Sequence, residues 1–395
     1  LHDDPGSYVV LHDAIRDLSY VRPSQQICKE GLYFTLNGYQ TFVFNEIYEV
    51  QDDEEGTWRK LNSWLNGNGT SDINEVIQEL LYHDVLEPYR NCFDGDKLRW
   101  LYGKVDSDLD AGQWLEIQNG TWKDFETLAL AFNNYYRLDR PLTRLFNVYC
   151  VGIHEFLADP ETKVVPDMDV YNERLTVIKQ LVTDYPVLWN ALLISLQQDL
   201  LVRFGRLQET FEAVENIQED WHLYKTQVRI LTKANYFERL SVSDQINLIQ
   251  WLYLEMETFR NWTHDSLEDD LDVILKSDEA KRFLKTNEFE GITWFNQEAA
   301  ELFEVLLQLI GYFENVFDPA GSASLRVEKI LLMHEASEIF HQRVENSSFH
   351  FDLLVSRLDP TVVQENADAE IQPDPDEEPE DQVENNASDS GIDSE

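Results

Sequence analysis

Near residue 55 the spacing of apolar residues changes from two to about 3.6, and that change sets what this chain can become. Before it, β-branched and aromatic runs alternate as strands do. "SYVVLHD" (7–13) and "LSYVRPS" (18–24) are separated by a short polar connection. "GLYFTLNGYQTFVFNEIYEV" (31–50) places Asn37-Gly38 between two further runs, the strongest short signal for a type I′ hairpin. In that reading Leu32, Phe34 and Leu36 share one face of the first strand. The expected element is a small antiparallel meander over residues 1–52. Its apolar runs "YVVL" and "TFVF" call for cover on both faces, and three or four strands alone are marginal in water.

After residue 55 the helical period takes over. Asp72 followed by Glu75 makes a capping-box-like start for a helix over 72–89, with Pro88 near its stop. Further helices are expected at 122–138, 243–260, 295–317 and 324–345. From 188 to 217, Leu193, Leu196, Leu200, Phe204, Leu207, Phe211 and Val214 recur at steps of three and four, which predicts a bundle seam. The fold class is therefore mainly α: an irregular helical bundle or array over 53–358 behind a small antiparallel β-segment. The loop "DPETKVVPD" (159–167) is a candidate division into two subdomains. Residues 359–395 carry fourteen acidic side chains, no Lys or Arg, and prolines at 373, 375 and 379, so a disordered acidic tail is expected there.

Charge removes whole classes of partner. The net charge is −44, and removing the tail still leaves −30. Nucleic acid and anionic membrane both require a positive field, so neither is expected as a partner. No apolar run approaches the length of a membrane span. Cys28, Cys92 and Cys150 are too few and too scattered for a disulfide framework or a zinc pattern.

Motif chemistry is sparse: there is no phosphate loop, nucleophile elbow or Cys-x-x-Cys pair. Two Glu-x-x-His pairs, Glu219 with His222 and Glu338 with His341, have the spacing of di-metal carboxylate bundles. His334, Glu338 and His341 continue a stripe begun by Val327 and Leu331, and Glu215, Glu219 and His222 also lie at helical steps. Such pairs also arise by chance in a Glu-rich chain, and "HEASE" lacks the second His of the zincin pattern. The expectation is therefore no metal site and no cofactor, with these four residues as the di-metal alternative. Trp58, Trp64, Trp100, Trp114 and Trp122 are of a type that stacks on sugar rings, but tryptophans more commonly fill cores.

The order "SYVVLHDAIRDLSYVRPSQQICKEGLYFTLNGYQTFVFNEIYEVQDDEEGTWRKLNSWLNG", continued by "DINEVIQELLYHDVLEPYRNCFDGDKLRWL", resembles the region that follows the catalytic barrel in bacterial α-amylase-like glycoside hydrolases. The resemblance covers residues 6–103. "NEIYEV" departs from it by replacing an Arg-containing turn. It implies a truncated C-terminal β-domain followed by a helical appendage, with an upstream catalytic barrel of the same polypeptide as partner and α-glucan as a possible ligand. The family's catalytic carboxylates lie on barrel strands, and no position here matches their motifs, so no catalytic residue is implied in this chain. The alternative to this non-catalytic region is an acidic helical interaction or scaffold protein.

Overall fold

The computed structural model describes residues 1–36, 38–105, 107, 109–206, 217–235, 240–318 and 323–356. The strands are β1 (Ser7–Asp13), β2 (Leu18–Pro23), β3 (Phe44–Gln51), β4 (Asn287–Phe289) and β5 (Ile292–Trp294). The helices in chain order are α1 (Ser24–Glu30), α2 (Thr57–Leu65), α3 (Ile73–Leu81), α4 (His83–Cys92), α5 (Gly95–Tyr102), α6 (Ala111–Tyr135), α7 (Thr143–Leu157), α8 (Asp169–Asp184), α9 (Pro186–Arg206), α10 (Ile217–Asp220), α11 (Tyr224–Ala234), α12 (Val242–Asn261), α13 (Leu267–Lys276), α14 (Asp278–Phe283), α15 (Gln297–Phe313), α16 (Ala323–Ser347) and α17 (Phe351–Ser356). The protein is thus mainly helical, with a small antiparallel sheet at its front. Among the described residues no helix is long and apolar enough to cross a membrane.

β1 is the middle strand of a three-stranded sheet in the order β2-β1-β3, antiparallel to both neighbours. The first two strands fall where the alternation places them. The hairpin does not. Residues 31–36 form no strand, because α1 intervenes and Gly31 ends it at φ 82°. The left-handed residue of the expected turn is Tyr39 (φ 65°) rather than Gly38, and Asn37 lies outside the described residues. The aromatic residues of this segment converge on β2 instead of forming a hairpin: Phe34 and Phe42, with Phe44 at the start of β3, gather around Tyr20 with ring centroids 4.9–6.2 Å apart. Leu32 and Leu36, expected beside Phe34 on one strand face, are exposed.

That rearrangement decides how the sheet is covered. On one face Tyr8, Val10 and Val21 pack with Leu61 and Leu65 of α2 and Val76 of α3. On the other, Val9, Leu11 and Tyr20 lie under Ile27, Phe34, Phe42 and Phe44. Both faces of β1 and β2 are therefore closed by the chain itself, which gives the apolar runs the cover they call for, and the sheet is not the truncated β-domain that the resemblance implied. The first unit consequently extends past residue 52 to include α2 and α3.

Behind it a single cluster of buried side chains runs from Val85 to Leu354, with no interruption at 159–167. At its centre α9 is buried nearly all round, against α12, α8, α15, α5 and α6. This differs from the seam expected over 188–217: a helix enclosed on every side needs no polar face. Some of its polar residues are bonded inside instead, though the buried Asn190 side chain has no hydrogen-bond partner among the described residues. Ser195 donates to the carbonyls of Ala191 (2.7 Å) and Ile249 (3.0 Å), and Gln198 donates to the Tyr89 hydroxyl at 2.8 Å. Leu207, Phe211 and Val214, like the expected acidic tail over 359–395, lie outside the described residues.

The expected helix over 72–89 is two. Asp72 caps α3 by accepting from the Glu75 amide, as its spacing predicts, but the break falls at Tyr82 and Pro88 sits inside α4. Gly95 starts α5 where a Cβ would lie 2.5 Å from the Ala234 nitrogen and 2.6 Å from the Ile230 carbonyl oxygen. Only glycine permits that approach of α5 to the end of α11.

Candidate functional site

The site with the richest chemistry lies where the first unit meets the helical core. Leu61 and Leu65, four apart on α2, bury against the sheet, which turns the intervening Trp64 outward, 57% exposed. α2 stops at Asn66 and Gly67, both left-handed (φ 43° and 85°). The chain then bridges to the sheet edge through Ser19 and Thr70. α3 follows with Val76 inward and Glu75 and Glu79, one helical turn apart, on the far side. Opposite them α11 presents Lys225, Arg229 and Lys233, also at steps of four.

The two stripes interlock. Lys225 bonds Asp72 (2.9 Å) and Glu75 (3.3 Å), and Arg229 bonds Glu75 (2.6 Å) and approaches Glu79 at 3.7 Å. Arg90 of α4 closes the row on Glu79. Lys233 continues it to Asp94 (2.6 Å) and Asp96 (2.7 Å) at the start of α5. The Lys225 ammonium, bonded to Asp72 beside the Glu75 amide, holds the Asp72 carboxyl below its ordinary range.

Between this row and Trp64 runs a groove of about 620 Å³, with Asn68, Thr70, Glu75, Glu79, Arg90 and Arg229 on its walls. A flat indole face beside amide, hydroxyl, carboxylate and guanidinium groups can stack on an apolar ring face and bond its hydroxyls. It is not a hydrolytic pair. Glu75 and Glu79 stand on one wall, one turn apart on the same helix, whereas glycoside hydrolysis needs two carboxyls flanking the scissile bond.

The other expected site residues lie elsewhere and apart. Glu219 belongs to the short helix α10, and His222 follows in a left-handed conformation (φ 50°) that breaks the helical step between them. His222 packs edge-on against Tyr82. Glu215 lies outside the described residues. Glu338 and His341 share α16, as expected, but His341 bonds Glu304 (3.1 Å) and Glu345 (3.4 Å). The Glu304 carboxylate raises the His341 imidazole above its ordinary range. Among the described residues no group of three or more His, Cys, Asp or Glu side chains is placed to hold a metal ion. Of the tryptophans, Trp114 and Trp122 pack against the main core and Trp58 against the sheet core. Trp64 and Trp100 are exposed.

Several buried charged groups serve the core. Lys329 of α16, almost fully buried, donates to the carbonyls of Phe259 (3.3 Å), Arg260 (2.7 Å) and Trp262 (3.1 Å), closing the end of α12 as a helix-capping cation. Glu314 is its counter-ion at 3.5 Å, and burial pushes that carboxyl up to about 7. Asp199 of α9 accepts from Arg203 (2.8 Å) and Arg260. Burial lowers the Lys163 ammonium to about 8, against the opposing pull of Glu155 at 3.0 Å. These groups fasten the helices that carry them to one another.

Sequence reasoning named Trp64 but missed the ionic walls of its groove. The signal was present as an acidic step of four on one helix and a basic step of four on another. Nothing in the sequence says that two stripes about 150 residues apart face each other. No protein-family model, curated protein or solved structure matches this chain.

Proposed function

We propose that this chain is a non-catalytic region of an enzyme acting on α-glucans, and that the groove beside Trp64 holds a glucan chain for a catalytic barrel of the same polypeptide. The observation that carries this reading is an outward indole on a groove walled by Asn68, Thr70, Glu75, Glu79, Arg90 and Arg229. A sugar polymer meets both needs of such a surface, an apolar ring face for the indole and hydroxyls for the polar walls. Trp64, α3 and Arg90 fall within residues 6–103, the span that resembles a post-barrel region, but the sheet closed on both faces by its own chain removes the implied truncated β-domain as an argument, so the reading rests on the groove. A second surface suits contact with a neighbouring module: Leu32, Tyr33, Leu36, Tyr39 and Val43 are exposed along the segment that covers the sheet.

The test is calorimetric titration of the chain with malto-oligosaccharides and glycogen, beside turnover assays of the chain alone and of a polypeptide extended through the barrel. Binding should be lost in Trp64→Ala at an unchanged melting temperature, and starch turnover should appear only in the extended polypeptide. Equal turnover by the chain alone, or glucan binding indifferent to Trp64, would overturn the reading.

A further inference from the structure

The two edges of the front sheet are treated differently. Along β2 the edge is closed by the 67–70 loop. The Ser19 amide donates to the Thr70 carbonyl at 2.7 Å, the Thr70 amide to the Ser19 carbonyl at 2.9 Å, and Arg22 to the Gly67 carbonyl at 2.9 Å. Along β3 nothing comparable occurs. β3 pairs with β1 on one side, and among the described residues no backbone hydrogen bond reaches it from the other.

Natural sheets guard a free edge with charged side chains, lysine above all, or with proline, a bulge, a short strand or a covering segment. β3 is eight residues long and contains neither Lys nor Pro; its register shift against β1 lies at its start, between Phe44 and Glu46, and its charges, Glu46 and Glu49, are of one sign, so they repel acidic strands and leave the edge open to a basic one. Ile47 and Tyr48 point to opposite faces of it, 59% and 48% exposed. Its surroundings are one-signed: no Lys or Arg occurs between Lys29 and Arg59, Glu46 is exposed on the strand, and "DDEE" follows directly at 52–55.

From these features we infer that β3 is a strand-addition site for an extended, basic segment of a partner protein. The partner's main chain would extend the ladder as a fourth strand, its apolar side chains would cover Ile47 and Tyr48, and its Lys or Arg residues would meet Glu46 and the acids at 52–55. A second copy of this chain is a poor occupant, because antiparallel pairing of two β3 strands brings like charges together. The inference does not rest on the glucan reading, since neither Trp64 nor its groove takes part.

The experiment uses the full chain and two probes, an alternating Lys/Val peptide long enough to span β3 and the same peptide N-methylated at every residue, which keeps its charge and loses its donors. The unmodified peptide should slow amide exchange across 44–51 by about tenfold or more, and the methylated one should not. Glu46→Lys should weaken binding by about tenfold without changing the melting temperature. Equal binding of both peptides with no protection of 44–51 would overturn the inference, leaving charge attraction alone. Protection of the same amides on self-association without peptide would overturn it in favour of a second copy.

Discussion

At the scale of single residues, the ionic groups of this protein do two kinds of work, and Glu314 shows the more costly kind. Its carboxyl is fully buried at the end of α15, with one oxygen near Lys329 and the other without a hydrogen-bond partner. Burial raises it from an ordinary 4.5 to about 7, so between those values the folded protein keeps a proton that the unfolded chain releases. Stability therefore falls as pH rises through that window, the reverse of an ion-paired surface carboxylate. Glu314→Gln cannot ionise. Its stability relative to the parent should grow between pH 5 and 7, by an amount on the order of a few kcal/mol, as read from denaturant unfolding at several pH values. A difference that stays flat with pH would show that Glu314 is not the group responsible. The residue was not legible as special in an acidic chain. Glu314 differs from the other glutamates only in being enclosed by α15, α16 and α12, a fact of packing rather than of neighbours in sequence.

At the scale of elements, the groove depends on one helix reading another. From α11, Arg229 lines the groove, and Lys225 and Arg229 fix the Glu75 carboxylate of α3 on its wall. These pairs are substantially exposed, so their worth is modest. Arg229→Glu should cost about 1 kcal/mol of stability, partly through repulsion from Glu75 and Glu79, and should loosen the α3 wall. A melting curve beside glucan titration separates the two effects, and an unchanged melting temperature would count against the interlocked stripes. Several of the longer helices were legible, whereas shorter ones, α11 among them, were not. The 3.6 period locates α12, α15 and α16 closely, and the Asp72 cap marks the start of α3. The hairpin was not, because periodicity describes a segment in isolation. Phe34, Phe42 and Phe44 cover Tyr20 of β2, an apolar contact between segments that the alternation within one segment does not announce.

At the scale of the whole molecule, repulsion sets the working conditions. With 75 acidic and 31 basic side chains, the scattered ion pairs leave a large excess of like charge. Shortening the screening length from roughly 30 Å at 0.01 M salt to about 8 Å at 0.15 M relieves that repulsion more than it weakens pairs individually worth about 1 kcal/mol or less. The melting temperature should therefore rise by a few degrees across that range, and a fall would mean that the ion-pair rows dominate. The absence of a core boundary at 159–167 belongs to this scale as well. A polar Pro-containing loop looks like a linker in sequence, yet Glu155, Lys163 and Arg326 tie it into the same core.

The sequence by itself determined the helical class, the first two strands, the positions of longer helices such as α12, α15 and α16, and the excess of negative charge, because each follows from local spacing or from a sum over composition. Tertiary structure alone decided that the sheet is closed on both faces by its own chain, that α9 is enclosed rather than amphipathic, that His222 leaves the helical step from Glu219, and that Trp64 faces an ionic groove. Those outcomes depend on which distant surfaces meet, and contact energy between segments far apart in the chain leaves no periodic trace in either one.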